Sequence, residues 1–304
     1  MPHRAEAIHP RRLELAGAHA NMLAADLYTA PEAGGRLAVL VHGGGQTRHS
    51  WRSAAKAFAR EGWSTITLDQ RGHGESAWIA DAAYGFGDYA ADLKAVVEGL
   101  ERQGFGRAVV VGASLGGIAG MIAAGELGVP MRGLVLVDIT PKVRLEGVER
   151  VINFMRAHAR EGFGSLEEAA ASISAYLPHR RPPSDLSGLA KVLRKDKEGR
   201  YRWHWDPLFL DSRSGDRGVL EGRLSEAVRR IRFPILMVRG RESELVGEEE
   251  ARAFLTLAPH AELADVGGAR HMVAGDRNDA FTDAVLGFLR RLEPGRDGIA
   301  DQRD

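Results

Sequence analysis

Short apolar runs of strand length alternate along the chain with longer segments whose apolar positions recur at helical spacing. Nearly continuous apolar runs between turns are typical of strands covered on both faces, as in a parallel sheet. The predicted strands are Leu37–Val41, Ser64–Leu68, Ala108–Val111, Leu134–Val137, Ile235–Val238 and a final strand at Ala261–Val266. The predicted helices are Trp51–Arg60, Asp88–Arg102, Leu115–Leu127 and Ala280–Arg291. This alternation predicts an α/β fold built on a doubly wound, mostly parallel sheet.

One segment, 140–231, interrupts the alternation, because it contains no β-branched run of strand length. Its apolar positions follow helical spacing, and Ser165 and Glu168 have the spacing of a capping box. A basic stretch after a Pro-rich link is also predicted to be helical. An insertion of about 90 residues is too long for a loop in a compact domain. It therefore predicts a helical cap on a discontinuous core of 1–139 and 232–304.

The two ends of the chain carry weaker signals. Residues 13–28 resemble two short strands joined by a turn and predict an antiparallel edge of the sheet. The polar segment 294–304 predicts a frayed tail. The first 17 residues lack the apolar region of a secretory signal, and no uncharged apolar run approaches the about 18 residues of a membrane span. We therefore expect a cytoplasmic protein without a membrane partner.

Charge and cysteine content exclude several functional classes. Lys plus Arg and Asp plus Glu both number 41, so the net charge is zero, and nucleic acid is not an expected partner. The chain has no cysteine, which excludes a disulfide scaffold, a thiolate nucleophile and cysteine-bound metal. The oligomeric state stays open.

A candidate nucleophile lies in the segment Gly112-Ala-Ser114-Leu-Gly116, between a predicted strand and a predicted helix. A serine in such a sharp strand-to-helix turn needs neighbours without side chains two positions before and after it, and both are glycine here. A nucleophilic serine also needs a base and an orienting acid. Among the histidines beyond Ser114, His271 follows the final predicted strand in a loop, where a doubly wound sheet places its site. We predict His271 as the base and, just after it, Asp276 as a cap of the last helix.

An oxyanion requires backbone N–H donors. One predicted donor is the N–H of Leu115, directly after the nucleophile. The other is predicted in His42-Gly43-Gly44-Gly45, after the strand Leu37–Val41, where glycines let the backbone approach a substrate. We favour Gly44 as this donor and expect His42 to be structural.

The segment Asp69-Gln-Arg71-Gly72-His73-Gly74-Glu75-Ser76 also satisfies the spacing of a dinucleotide-binding fingerprint, with Asp92 downstream. The glycines do not open a predicted helix, so a hydrogen-bonded turn is the better interpretation. Because no other nucleotide or metal motif occurs, we predict neither a cofactor nor a metal.

These motifs together resemble those of the α/β-hydrolase superfamily over nearly the whole chain. The resemblance rests on HGGG, DQRGHGES, GASLGG and GGARHM, each placed after a predicted strand, and on LVLVDITP, which begins with one. It implies an eight-stranded sheet with a helical cap inserted after the sixth strand. Members with Asp at the elbow are epoxide hydrolases or dehalogenases. Ser114 therefore indicates hydrolysis of an ester, thioester, lactone or carbon–carbon bond.

At the acid this chain departs from the pattern of most members. Most members place it after the seventh strand, where this chain reads Arg239–Val246 without an Asp, so that Glu244 is the candidate there. A smaller branch, which includes certain small bacterial esterases, places it after the sixth strand, where this chain has Asp138. A carboxylate at that strand end needs a partner to offset its desolvation, and His271 would supply one. We favour Asp138 and keep Glu244 as the alternative.

The predicted cap suggests, but does not identify, a substrate. Between Leu177 and Arg202 there are eight Lys or Arg and three Asp or Glu, which indicates either attraction of an anionic substrate or a solvated, compensated surface. Trp203 and Trp205 alternate with polar residues and face either the pocket or the core. We predict a serine hydrolase that cleaves a small to medium carboxylic ester or thioester through an acyl-enzyme. The alternatives are a lactonase, a cofactor-free haloperoxidase-like enzyme and a ligand-sensing receptor-like protein.

Overall fold

An eight-stranded sheet forms the centre of the structure, a computed structural model that describes residues 8–30, 33–180, 185–213 and 217–293. Its strands are β1 (Arg11–Ala16), β2 (Met22–Tyr28), β3 (Leu37–Val41), β4 (Ser64–Leu68), β5 (Ala108–Ala113), β6 (Gly133–Val137), β9 (Ile235–Gly240) and β10 (Ala261–Val266). The strand order is β1-β2-β4-β3-β5-β6-β9-β10. β2 pairs antiparallel with both β1 and β4, and the other neighbours are parallel. The predicted α/β fold with a mostly parallel eight-stranded sheet is confirmed.

Helices cover both faces of this sheet. They are α1 (Arg52–Arg60), α2 (Phe86–Arg102), α3 (Leu115–Gly125), α4 (Leu145–Ala157), α5 (Leu166–Tyr176), α6 (Arg217–Arg230), α7 (Glu248–Leu257), α8 (Val273–Asp276) and α9 (Asn278–Arg291). Successive residues of the central strands point to opposite faces. Val39 and Val110 contribute to the apolar cluster that includes α2, α3, α6 and α7, whereas Ala38 and Val109 contribute to the cluster beneath α1 and α9. Burial on both faces explains why these strands are almost continuously apolar.

The predicted strands agree with the structure to within two residues at each end, and three of them coincide with it. Residues 13–28 fall in the antiparallel pair β1–β2, as predicted. The four predicted helices also agree to within two residues at each end, and α2 and α9 each begin two residues before the predicted start. The predicted frayed tail, 294–304, lies outside the described residues. No helix within the described ranges is long and apolar enough to cross a membrane.

The segment between β6 and β9 contains α4, α5, a two-stranded hairpin and α6. The hairpin consists of β7 (Leu193–Lys195) and β8 (Tyr201–Trp203), so the prediction of a basic helix here was wrong. Asp196 explains the difference, because its Oδ1 accepts the N–H groups of Glu198 and Arg200 at 3.0 and 2.9 Å. Gly199, at φ +84°, completes this turn and brings the two strands together.

Candidate active site

Ser114 occupies the sharp turn between β5 and α3, with φ 45° and ψ −110°. The flanking glycines are required by close backbone contacts. A Cβ on Gly112 would lie 2.4 Å from the carbonyl oxygen of Gly116, and a Cβ on Gly116 would lie 2.4 Å from that of Val41. The predicted elbow geometry is therefore present, and its sterics leave no room for side chains two residues before and two residues after Ser114.

His271 and Asp138 are joined by a hydrogen bond. Asp138 directly follows β6 and is fully buried, and His271 lies between β10 and α8. The His271 Nδ1 atom is 2.8 Å from Asp138 Oδ2. A carboxylate accepts hydrogen bonds only, so Nδ1 carries the proton and Nε2 is left as the basic atom of the neutral ring. The structure therefore brings together two of the three residues predicted for catalysis, and His271 and Ser114 line the same cavity.

Two further groups hold the Asp138 carboxylate. The Gly240 N–H donates to Oδ1 at 3.1 Å, and the Ser243 hydroxyl donates to Oδ2 at 2.5 Å. Ser243 also accepts the N–H groups of Leu245 and Val246. The sequence did not identify Ser243 as part of the site. The only signal was that the loop after β9 lacks the Asp found there in most members, so its polar residues have another role.

Glu244, the alternative acid, is not brought to His271. No hydrogen bond joins Glu244 to His271 in the part of the chain that the structure describes, and the Glu244 Oε2 atom is buried without a hydrogen-bond partner there. Its charge instead acts on Tyr176. Burial, followed by the negative charge of Glu244, raises the pKa of Tyr176 to about 12.

The glycine loop after β3 leaves one N–H group uncommitted. The Gly43 N–H donates to Gln46 Oε1 at 3.0 Å, and the Gly45 N–H donates to His73 Nε2 at 3.1 Å. The Gly44 N–H has no hydrogen-bond partner among the described residues. The Leu115 N–H, at the first position of α3, is one of the donors that a helix start leaves without an intrahelical partner. Both predicted donors are thus available to an oxyanion.

His42 lies beneath this loop and is fully buried. Its Nδ1 is 2.7 Å from the Gly43 carbonyl oxygen, and its Nε2 accepts the Gln70 N–H at 3.1 Å. This pair of bonds requires a neutral ring with the proton on Nδ1. Burial lowers the pKa of His42 and favours the same neutral form. His42 therefore has the structural position that the sequence predicted.

The segment 69–76 forms a turn and does not open a helix, since α2 begins only at Phe86. Arg71 donates two hydrogen bonds to Asp92, at 2.6 and 2.7 Å, in a buried bidentate pair. Asp92 also accepts the Ala18 N–H and the Asn21 side-chain amide. The residues that mimic a dinucleotide fingerprint are therefore committed to internal contacts.

A cavity of about 750 Å³ contains Ser114, Gly44 and His271 in its wall. Most lining side chains are apolar or aromatic and come from α4, α5, the hairpin region and the strand ends. They include Trp51, Phe86, Ile118, Ile139, Val148, Val151, Phe154, Met155, Ile173, Leu189, Trp203 and Trp205. Both Trp203 and Trp205 line this cavity, and their rings stack at 6.3 Å.

The basic segment of the insertion is largely compensated by its surroundings. Arg202 donates to Asp196 Oδ2 and Arg200 donates to the Glu161 carbonyl oxygen, each at 2.6 Å. The Arg194 guanidinium lies 4.2 Å from the centre of the Trp78 ring. Arg181, part of the same segment, lies outside the described residues. These contacts favour a compensated surface over a general attraction for anionic substrates.

Asp276 does not cap the last helix, so that prediction was wrong. The position before α9 is Arg277, and Asp276 ends the short helix α8. Its Oδ2 accepts the Arg270 N–H at 3.0 Å, and its Oδ1 accepts Arg180 Nε at 2.7 Å. The side chain thus links the loop that carries His271 to the insertion, because a charged long-range partner competes successfully with the local capping role.

The chain matches the sequence profile of a known family, described as the alpha/beta hydrolase fold, over residues 38–277. Three individual proteins are also similar to it. A 2-(acetamidomethylene)succinate hydrolase of Mesorhizobium japonicum is 31% identical over 233 residues, which cover 75% of this chain and 78% of that protein. A 3-hydroxybutyrate-oligomer hydrolase of Cupriavidus necator is 28% identical over 249 residues, which cover 77% of this chain and 83% of that protein.

The third similar protein is an esterase of Mycobacterium tuberculosis, which is 27% identical over 260 residues, covering 83% of this chain and 82% of that protein. Its crystal structure superimposes with a TM-score of 0.72 and covers 93% of both chains. All three relatives are named as hydrolytic enzymes, and the two names that give a substrate give different ones.

Proposed function

The chain belongs to the α/β-hydrolase family, and on that basis we propose that it is a serine hydrolase that cleaves carboxylic esters through an acyl-enzyme. Ser114 is the nucleophile, His271 the general base and Asp138 the residue that orients His271. The Gly44 and Leu115 N–H groups form the oxyanion hole. We also assign 140–231 as the cap, because its helices and hairpin supply much of the cavity wall.

Acylation begins with attack of Ser114 Oγ on the ester carbonyl carbon, while the hydroxyl proton passes to His271 Nε2. The carbonyl oxygen becomes an oxyanion, which the two N–H groups stabilise by hydrogen bonds that strengthen as the charge develops. The tetrahedral intermediate then collapses, and the bond to the alkoxy oxygen breaks. His271 returns the proton to the leaving alcohol, so that no free alkoxide is released.

Deacylation repeats these steps with water. His271 Nε2 takes a proton from water, and the hydroxide attacks the acyl carbon of the Ser114 ester. The second tetrahedral intermediate collapses with protonation of Ser114 Oγ by His271, and the carboxylic acid leaves. Asp138 keeps the proton on Nδ1 throughout, so that Nε2 alternates between base and acid.

The hydrogen bond from His271 Nδ1 to Asp138 Oδ2 is the observation that carries the proposal. It fixes the ring orientation and tautomer that a base for serine requires, in the wall of the cavity that Ser114 also lines. The apolar lining and the volume of about 750 Å³ support a substrate of medium size with considerable apolar surface.

A substrate panel tests the proposal. The panel contains p-nitrophenyl esters with acyl chains of two to ten carbons, together with lactones and acyl-CoA thioesters. We expect steady multiple turnover of the esters. Loss of this turnover in Ser114→Ala would support the proposal. A single turnover that ends in a stable covalent adduct would contradict it and favour a ligand sensor, and faster turnover of lactones would favour a lactonase.

A further inference from the structure

The wall of the cavity contains two arginines among the residues that the structure describes, Arg180 and Arg223. Each is paired with a carboxylate. Arg223 donates to both oxygens of Glu126, at 2.7 and 2.8 Å, and both side chains are partly exposed to solvent. Arg180 pairs with Asp276, whose side chain is only 3% exposed. Arg180 is itself 31% exposed, but because Asp276 is nearly fully buried, water screens the second pair less than the first.

Arg180 lies against α8, immediately beside the loop of His271. A Cβ on Gly275 would lie 2.7 Å from Arg180 Nη2, so the guanidinium contacts the backbone of this helix. Val273, Ala274 and Gly275 themselves line the cavity together with His271. The guanidinium of Arg180 therefore lies in the cavity wall against the short helix that follows the His271 loop.

Asp276 holds this guanidinium at two points. Its Oδ1 accepts Arg180 Nε at 2.7 Å and lies 2.6 Å from Nη2. Burial raises the pKa of Asp276, but the Arg270 N–H and the Arg180 guanidinium lower it, and its pKa lies below the ordinary value for aspartate. Asp276 is consequently anionic at neutral pH and cancels the charge of Arg180.

We propose that Asp276 sets the charge selectivity of the cavity. By neutralising Arg180 it keeps the region beside His271 suited to uncharged groups, so the enzyme prefers neutral esters to esters that carry a second carboxylate. This inference rests on the proposed function, because it concerns the substrate of the same site. A second carboxylate beside Arg180 would lie close to Asp276, and two carboxylates at one site repel each other.

Two substrates that differ only in the end of the acyl chain test the proposal, p-nitrophenyl hexanoate and mono-p-nitrophenyl adipate. The wild-type protein should have a kcat/KM for the hexanoate at least about tenfold above that for the adipate. Asp276→Asn retains the size of the side chain and should shift this ratio by about tenfold or more toward the adipate, which corresponds to about 1.4 kcal/mol. Adding Arg180→Met to Asp276→Asn should restore the preference for the hexanoate.

Glu262→Gln is the matched control, because it changes the net charge by the same amount at an exposed residue of β10. It should leave the ratio unchanged. A merely structural role of Asp276 would lower kcat/KM for both substrates by the same factor and leave their ratio unchanged. That result, or a wild-type preference for the adipate, would overturn the proposal.

A binding measurement separates this inference from the proposed function. In the Ser114→Ala background, the rise in melting temperature on adding hexanamide is compared with that on adding the monoamide of adipic acid. Asp276→Asn should increase the effect of the anionic amide relative to the neutral one, and an unchanged relation would overturn the inference. If the wild type cleaves no ester but this binding shift occurs, the proposed function fails and the charge selectivity stands.

Discussion

The Asp138 carboxylate accepts a hydrogen bond from His271 Nδ1 at 2.8 Å, although the two residues are 133 positions apart in the chain. The contact joins the end of β6 to the loop after β10, across the intervening strand β9. The Gly240 N–H at the end of β9 bonds the other carboxylate oxygen. Three strands of the sheet therefore fix one imidazole ring.

Asp138→Asn should lower kcat by up to about 10⁴-fold, because an amide no longer selects the tautomer of His271 with the proton on Nδ1. Glu244→Gln is the matched control, since it makes the same change in the neighbouring acid, and it should cost little. Steady-state kinetics on one aryl ester would measure both. The reverse pattern would assign the orienting role to Glu244.

Ser114→Ala should reduce kcat/KM by at least about 10³-fold, because the covalent route is lost while the oxyanion donors remain. A fluorophosphonate probe followed by peptide mass spectrometry should label Ser114 and no other serine. The melting temperature should not fall, since Ala has no larger side chain than Ser. Near-wild-type activity of this variant would remove Ser114 as the nucleophile.

Gly44→Val should lower kcat by about 10²–10³-fold, the range for loss of one oxyanion donor, because a branched side chain would occupy the space of the acyl oxygen. Gly188→Val is a suitable control, because a Cβ there meets no heavy atom within 4 Å. A loss of stability without a loss of kcat would make Gly44 a turn residue only.

Asp92→Asn should destabilise the protein by about 3–5 kcal/mol, because it leaves the buried Arg71 guanidinium without its bidentate partner. Glu248→Gln breaks an exposed pair with Arg252 and should cost less than about 0.5 kcal/mol. Urea unfolding compares the two variants. Equal small effects would contradict the structural role assigned to the Arg71–Asp92 pair.

The pKa of His42 is lowered by burial, so the unfolded chain binds a proton at this position at a higher pH than the folded protein does. His42 should therefore stabilise the fold most above pH about 6.5, its unfolded pKa, and lose this contribution as pH falls through the folded pKa. The difference in unfolding free energy between the wild type and His42→Asn should therefore shrink as the pH is lowered below about 6.5. His260→Asn, at an exposed position, makes the same substitution without removing a buried ring and serves as the control.

Local patterns were sufficient to predict most of the sheet and the sharp turn that carries Ser114. The central strands are buried on both faces, so their composition alone marks them, and the glycines around Ser114 identify the elbow because packing excludes any other residue there. The choice between Asp138 and Glu244 could not be made in this way. Both follow strands, and only the three-dimensional position of His271 distinguishes them.

The errors have a common physical origin. Asp276 precedes α9 by two residues but is bound to Arg180, which is 96 residues earlier. Asp196 likewise closes a turn between two basic strands whose composition suggests a helix. In both cases an aspartate selects a hydrogen-bond partner that single-sequence periodicity does not identify.

Ser114 and Asp138 have φ values of 45° and 51°, in a region where glycine is favoured over any L-residue. Glycine at either position would relieve about 1 kcal/mol of backbone strain. A variant library screened for heat resistance alone should therefore accumulate glycine at position 114, whereas the three hydrogen bonds that the buried Asp138 carboxylate accepts oppose its replacement. Natural selection for thermal resistance would act in the same direction at position 114, and only selection for turnover would retain serine there.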